Sequence, residues 1–192
     1  YDGMPIADVT KSVTEIDGKG TGDTTNAWTI TYTGTTKAGV AYDSATAPKE
    51  AGNYTVTAVY DNSTHYGLAS KDFTITQKEV GLTWKTPGSL VYDGTAKTVT
   101  ATATSVVSGD TCTVNTTGAT AANAGTYTAT AAGLSNANYK LPVAKTYKYT
   151  IAKADRGLTI TPDSTKLTPV NASVTIEPTF SDADKSAEVR YT

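Results

Sequence analysis

The feature that most constrains this chain is a block of sequence that it uses twice. Ala51-Gly52-Asn53-Tyr54-Thr55-Val56-Thr57-Ala58 returns as Ala124-Gly125-Thr126-Tyr127-Thr128-Ala129-Thr130-Ala131. Further blocks keep the same order around it. Tyr1-Asp2-Gly3 precedes the first copy and Tyr92-Asp93-Gly94 the second. His65-Tyr66-Gly67-Leu68 lines up with Asn138-Tyr139-Lys140-Leu141, Phe73-Thr74-Ile75 with Tyr149-Thr150-Ile151, and Gly81-Leu82-Thr83 with Gly157-Leu158-Thr159. Ordered self-similarity of this kind is the signature of modules in tandem.

The blocks place a first repeat over 1–77, a second over 78–153, and a remainder over 154–192 that starts like a further repeat. The first repeat opens directly at Tyr1, without the strand-like Gly81-Leu82-Thr83-Trp84 that precedes the second Tyr-Asp-Gly. It also carries surplus residues between Lys11 and Val40. The link between repeats, Gln77-Lys78-Glu79-Val80, is short and free of Gly/Ser or Pro tracts, which predicts semi-rigid neighbours.

Alternation sets the fold class. In Trp28-Thr29-Ile30-Thr31-Tyr32 the large side chains fall on one face of a pleated strand and threonine on the other. Tyr54-Val56-Ala58-Tyr60, Tyr127-Ala129-Ala131 and Tyr147-Tyr149-Ile151 do the same, and Asp-Gly, Ala-Gly and Ser-Gly-Asp breaks separate the runs. Threonine fills roughly one position in five, and Tyr outnumbers Phe by 12 to 2. Both residue types suit a half-buried pleated surface. No helical stripe is present, so the chain reads as all-β.

Together the blocks resemble the bacterial surface-protein repeats known as MBG or YDG-type domains. The resemblance rests on the Tyr-Asp-Gly starts, on Ala47-Pro48-Lys49-Glu50-Ala51-Gly52-Asn53-Tyr54-Thr55, on Asn123-Ala124-Gly125-Thr126-Tyr127-Thr128, on the Asn-Tyr region and on the closing Thr-Ile strands. The second repeat lacks the Ala-Pro, and the likeness fades after Gly157. It implies a module used in series in adhesins and other surface proteins, without chemistry of its own. The Ala-Gly-x-Tyr-Thr block is similar to the tyrosine corner of immunoglobulin-like sandwiches, in which a Tyr hydroxyl bonds to nearby backbone. One small immunoglobulin-like β-sandwich per repeat is therefore expected; a compact β-grasp-like sheet is the alternative. The structural residues singled out are Tyr1, Asp2, Gly3, Gly52, Tyr54, Tyr92, Asp93, Gly94, Gly125 and Tyr127.

Chemistry is sparse. His65 is the sole histidine and Cys112 the sole cysteine, so no disulfide framework and no transition-metal site of usual composition is expected. His65 reads as a turn residue, because Asn138 stands at its position in the other repeat. Cys112 reads as a small apolar side chain rather than a reactive thiol. The acidic loops Asp17-Gly18-Lys19-Gly20-Thr21-Gly22-Asp23 and Ser181-Asp182-Ala183-Asp184 miss the EF-hand spacing and read as solvated turns. Trp28 and Trp84 alternate with apolar neighbours and read as core-facing rather than as a sugar-stacking platform. Lysines such as Lys78, Lys85 and Lys153 sit in turns and links, so an internal Lys–Asn isopeptide bond is not expected. No catalytic, cofactor-binding or metal-binding residue is assigned.

A net charge of -2 over 192 residues gives no basic patch for nucleic acid, and no apolar run reaches membrane-span length. The expectation is a non-enzymatic stalk or adhesin segment at a bacterial cell surface, with neighbouring repeats as partners. The alternative is a module that binds a glycan or host protein through loops or aromatic faces of the first repeat. Residues 157–192 are too few for an independent core. They are expected to dock on the second repeat or to donate a strand to another chain.

Overall fold

A computed structural model describes residues 1–7, 28–63 and 65–156. The acidic loops at 17–23 and 181–184, most of the surplus between Lys11 and Val40, and the remainder from Gly157 lie outside these. Every element is a strand, and no helix occurs among the described residues. The all-β expectation is met.

The N-terminal half is built on one antiparallel sheet. Strands β1 (Trp28–Thr36), β2 (Ala41–Ser44), β3 (Gly52–Asp61) and β4 (Tyr66–Ile75) lie in the order β2-β1-β3-β4. The alternation read from sequence decides which face is covered. Tyr32, Tyr54, Val56 and Tyr60 are buried on one face, and the intervening threonines point away. Aromatic rings tie the strands together across this face. Trp28 meets Tyr60 edge-on at 5.2 Å, and Tyr54 stacks on Phe73 at 5.5 Å. The surplus expected in this half includes β1, which is an inner strand of the sheet rather than an appendage.

In the C-terminal half the strands divide among several small sheets. They are β5 (Lys78–Glu79), β6 (Gly81–Lys85), β7 (Lys97–Thr98), β8 (Thr100–Thr104), β9 (Val114–Thr117), β10 (Thr120–Ala121), β11 (Gly125–Leu134), β12 (Tyr139–Lys140) and β13 (Thr146–Ile151). The sheets are β13-β11-β9, β6-β8, β10-β7 and β12-β5. Val99, Ala119, Ala129, Tyr149 and Ile151 form a shared core, with Trp84 and Tyr147 packed against it. Trp84 on one sheet stacks on Tyr147 of another at 5.6 Å, so the sheets face each other across this core in sandwich-like fashion.

Strand β11 departs from regular pairing once, where the register to β9 shifts between Ala131 and Gly133. A bulge of this kind bends the strand and re-aims the chain beyond it. The backbone then runs through Asn136 and Asn138 into β12 before returning as β13. In the N-terminal half, β3 instead turns straight back into β4, with full pairing from Asp61↔Tyr66 to Gly52↔Ile75. The same offset in sequence therefore leads to different surroundings. His65 sits in an exposed hairpin turn, where its N–H donates to the Asn62 side chain at 2.7 Å, whereas Asn138 is buried at the boundary between the halves.

Candidate functional site

The singled-out blocks make the same local geometry twice. The Tyr54 hydroxyl donates to the Glu50 carbonyl at 2.8 Å, and the Tyr127 hydroxyl donates to the Asn123 carbonyl at 2.9 Å. Each tyrosine folds back over the glycine two residues before it. A Cβ on Gly52 would lie 2.7 Å from the Tyr54 hydroxyl oxygen, and one on Gly125 3.2 Å from that of Tyr127. The glycine is needed for close approach. Tyr54 stacks on Phe73 and Tyr127 on Tyr149 in matching register, Tyr54↔Phe73 and Tyr127↔Tyr149.

The Tyr-Asp-Gly blocks also correspond. Asp2 accepts from the Met4 N–H and Asp93 from the Thr95 N–H, each at 2.9 Å. The turn is completed by Gly3 at φ 83° and Gly94 at φ 80°, a region that glycine enters without cost. Tyr1 N donates to the Thr76 carbonyl at 2.7 Å, and Tyr92 N to the Ala152 carbonyl at 2.9 Å. In both places the block closes onto the residue just after the last strand of its own half.

What the blocks do not share is their surroundings, and the difference lies at the boundary between the halves. The link is itself a strand. Lys78 and Glu79 pair in parallel with Tyr139 and Lys140 of the following half. Lys78 N donates to the Asn138 carbonyl at 2.9 Å and Val80 N to the Lys140 carbonyl at 3.1 Å, while the Gln77 amide donates to the carbonyls of Ala137 and Tyr139. Val80 is 2% exposed. The Glu79–Lys140 ion pair at 3.4 Å is exposed and adds little.

Asn138 is inserted under the Tyr54 corner. Its side-chain oxygen accepts from the Ala51 N–H at 2.8 Å, and its amide donates to the Glu50 carboxylate. Beside it, the Asp110 carboxylate accepts from the hydroxyls of Tyr139 at 2.6 Å and Tyr1 at 2.8 Å. The Tyr139 hydroxyl accepts in turn from the Val107 N–H at 2.9 Å, and the two tyrosine rings meet edge-on at 5.5 Å. These hydrogen bonds from Tyr139 and Tyr1 hold the Asp110 carboxyl below the usual carboxylate range. Burial, reinforced by Asp110, pushes both phenols up.

This junction is the best-built polar cluster among the described residues, and sequence reading missed most of it. Tyr1 stands out for its motif, but nothing local assigns Asp110, Asn138 or Tyr139 to a boundary. Asn138 and Ala51 are far apart in sequence, and no local pattern pairs them. A second omission is Lys97, which is buried and bonded to Asp93 at 2.5 Å and to Thr95 at 3.3 Å. The Lys97 ammonium, with help from Thr95, holds the Asp93 carboxyl far below its ordinary range. The spacing Asp93-x-x-x-Lys97 was the available signal.

Cys112 is half-buried just before β9, and burial pushes its thiol up, away from the reactive thiolate. Trp28 and Trp84 are half-buried, each engaged with a tyrosine of its own half. Between the β1–β2 hairpin and residues 135–138 lies an open cleft of about 500 Å³, lined by Val40, Tyr42, Glu50, Thr111, Asn136 and Asn138 among others. No group of three or more His, Cys, Asp or Glu side chains suited to a metal occurs among the described residues. No helix there is long and apolar enough to cross a membrane.

The described chain is thus all-β, with two tyrosine corners and a hydrogen-bonded boundary between its halves. Within it, residues 86–153, about a third of the chain, match the family model for the MBG domain (YGX type). The matched stretch contains Tyr92-Asp93-Gly94, the Tyr127 corner and strand β13. The resemblance drawn from sequence named the MBG or YDG type and ran over both repeats as far as Gly157; the match is to the MBG domain of the YGX type and lies in the C-terminal half. No curated protein and no solved structure matches the chain.

Proposed function

We propose that residues 1–77 and 78–153 are two modules of one kind in series, and that the chain is a non-catalytic spacer segment of a secreted bacterial surface protein or adhesin. The observation that carries this reading is the junction. A link of four residues is absorbed into a parallel strand pair, and Asn138 of one half bonds the backbone of the other. Such a link fixes orientation instead of tethering. A spacer needs that property, since its output is length and stiffness. The repeated corner and turn geometry, together with the MBG match in the C-terminal half, supports the module reading and a cell-surface setting.

The test is the relative motion of the halves. Residual dipolar couplings from both halves should fit a single alignment tensor. A Gly-Ser insertion between Gln77 and Lys78 should split it in two. Two independent tensors in the unmodified chain would remove the stiffness on which the reading depends.

A second reading has one observation in its favour. The cleft between the β1–β2 hairpin and residues 135–138 combines an aromatic wall, Tyr42, with the polar groups Glu50, Thr111 and Asn136. That is the mixture a neutral sugar requires. A glycan screen with the full chain, in which Tyr42→Ala abolished a signal, would favour binding over spacing.

A further inference from the structure

The contacts that hold the boundary together also set the width of the cleft beside it. The Ala51 carbonyl accepts from the Lys37 N–H at 2.7 Å, and the Ala51 N–H donates to the Asn138 side chain at 2.8 Å. Lys37 lies in the β1–β2 hairpin and Asn138 in the turn before β12. These are the two walls of the open cleft of about 500 Å³. One fully buried residue therefore pins both walls.

Each wall is braced within itself. In the hairpin, the Thr36 N–H donates to the Val40 carbonyl at 2.9 Å, and the Val40 N–H to Thr36 Oγ1 at 3.1 Å. Across the cleft, the Ser135 N–H donates to the Thr113 carbonyl at 3.0 Å, and the Thr113 N–H to Ser135 Oγ at 2.8 Å. Asn136 Oδ1 accepts from the Asn138 N–H at 3.0 Å. Tyr42 is fixed as well, by its hydroxyl on the Thr46 carbonyl at 2.8 Å and by an edge-on contact with Tyr54 at 5.6 Å. What holds one wall against the other is the Ala51 contact and the parallel strand pair of the link.

The lining decides what kind of molecule fits. Glu50 is the only Asp, Glu, Lys or Arg among the lining residues. An acidic sugar would meet a like charge and no counter-charge there. With one Glu50 oxygen taken by the Asn138 amide, the other remains to accept a hydroxyl. Ser135 Oγ accepts from backbone, so its O–H remains to donate. Val40, which is 61% exposed, and Ala41 add apolar surface beside the Tyr42 ring.

We propose that this cleft is a boundary site in which an uncharged sugar unit and the docked arrangement of the two halves stabilise each other. The inference rests on the sugar reading of the cleft and adds its regulation, because the walls face each other only while Asn138 stays bonded to Ala51. Linkage makes the effect reciprocal: the factor by which undocking weakens the sugar is the factor by which sugar favours docking. Occupancy then stiffens the segment at the point of contact.

The experiment uses the full chain and three probes: lactose and chitotriose as neutral sugars, and 3′-sialyllactose as the acidic relative of lactose. Amide shifts in titrations should map a neutral probe to Val40, Tyr42, Ser135 and Asn136, with 3′-sialyllactose binding more weakly than lactose. Asn138→Ala and, separately, a Gly-Ser insertion between Gln77 and Lys78 should each weaken that neutral probe by about fivefold or more. The insertion changes no lining residue, so it separates loss of docking from damage to a wall. Protected β11–β13 amides confirm that both variants remain folded. In the unmodified chain, saturating probe should slow hydrogen exchange at Ala51 and Lys78. If neither neutral sugar shifts the cleft amides, or if 3′-sialyllactose binds best, the sugar reading falls and this proposal with it. If a neutral sugar binds there with equal affinity in both variants, the sugar reading stands and the linkage to docking is overturned.

Discussion

The Tyr54 and Tyr127 corners carry the same hydrogen bond, glycine and ring stack, yet one is sealed and the other half-open. The hydrogen bond and glycine of the corner are therefore a local construction, complete within five residues, and burial is a separate property set by what packs on it: for Tyr54, Tyr42 and Ile6 from its own half and Asn138 from the next. In the first half the sheet is continuous and its aromatic face is tied across by ring pairs. In the second, strand pairing is divided, and the core around Ile151 does more of the holding. The same corner and turn thus occur with two different groupings of strands.

That contrast predicts where large effects fall. Ile151 is 1% exposed within the shared core, whereas its register counterpart Ile75 is only half-buried. Ile151→Ala should cost about 2–5 kcal/mol, and Ile75→Ala distinctly less. Denaturant unfolding of the two variants checks this, and equal losses would mean that the halves do not differ in how they are held.

The junction comes next. Asn138→Ala removes the acceptor of a buried Ala51 N–H, and an unpaired buried donor costs about 1–3 kcal/mol. Hydrogen exchange should speed up at Ala51, Lys78 and Val80 while the β11–β13 amides stay protected. If the Ala51 amide keeps its protection, Asn138 is not what seals the first corner.

The corners themselves give smaller effects. Tyr127→Phe deletes one hydroxyl bond in a half-exposed setting and should cost about 0.5–1 kcal/mol. Tyr54→Phe removes the same bond where the ring is buried, and its cost should lie near or above about 1.5 kcal/mol, the upper end for a single hydrogen bond. Thermal melts of the two variants side by side decide it. A reversed order would show that cover does not strengthen the corner.

Distance along the chain decides how much of this was legible in sequence. The corners and the alternating strands depend on residues close in sequence, and the blocks announced them; the turns at Asp2 and Asp93 and the pairing of Tyr54 with Phe73 and Tyr127 with Tyr149 emerged only in the fold. The junction depends on Asn138 reaching Ala51 and Asp110 reaching Tyr1, pairs that no local pattern links. The His65 and Asn138 alignment holds for the turn role, since His65 lies in the hairpin loop and Asn138 in a turn, but the surroundings differ for a related reason. The offset after the Ala-Gly block is equal, but the shift between Ala131 and Gly133 redirects the second copy to the boundary, while the first turns back as a hairpin. A buried lysine at 97 was hidden because lysine in a Thr-rich surface strand looks ordinary until its aspartate is seen four residues earlier.

The smallest expected effect is the pH dependence of the junction, which the Tyr127 corner, lying away from Asp110, should not share. The Asp110 carboxyl is depressed when the junction is formed, so its contribution is present above the free carboxylate value of about 3.9 and is lost as pH falls through the lower, docked value. The phenols of Tyr1 and Tyr139 are raised, so theirs is complete below the free value of about 10 and is lost as pH rises through the docked values. Between roughly pH 5 and 9 the junction should be insensitive to pH, loosening on either side of that window. Asp93 titrates in the acid range as well, but it faces Lys97 and not the boundary. The readout must therefore be local: exchange of the Val107, Lys78 and Val80 amides, corrected for intrinsic rates. Protection should fall at both ends of the range in the unmodified chain. In Asp110→Asn the acid limb should vanish while protection from β11–β13 is unchanged. Protection that stays flat from about pH 3 to 11, beyond both free values, or an acid limb that survives Asp110→Asn, would show that the tyrosine–aspartate cluster does not hold the halves together.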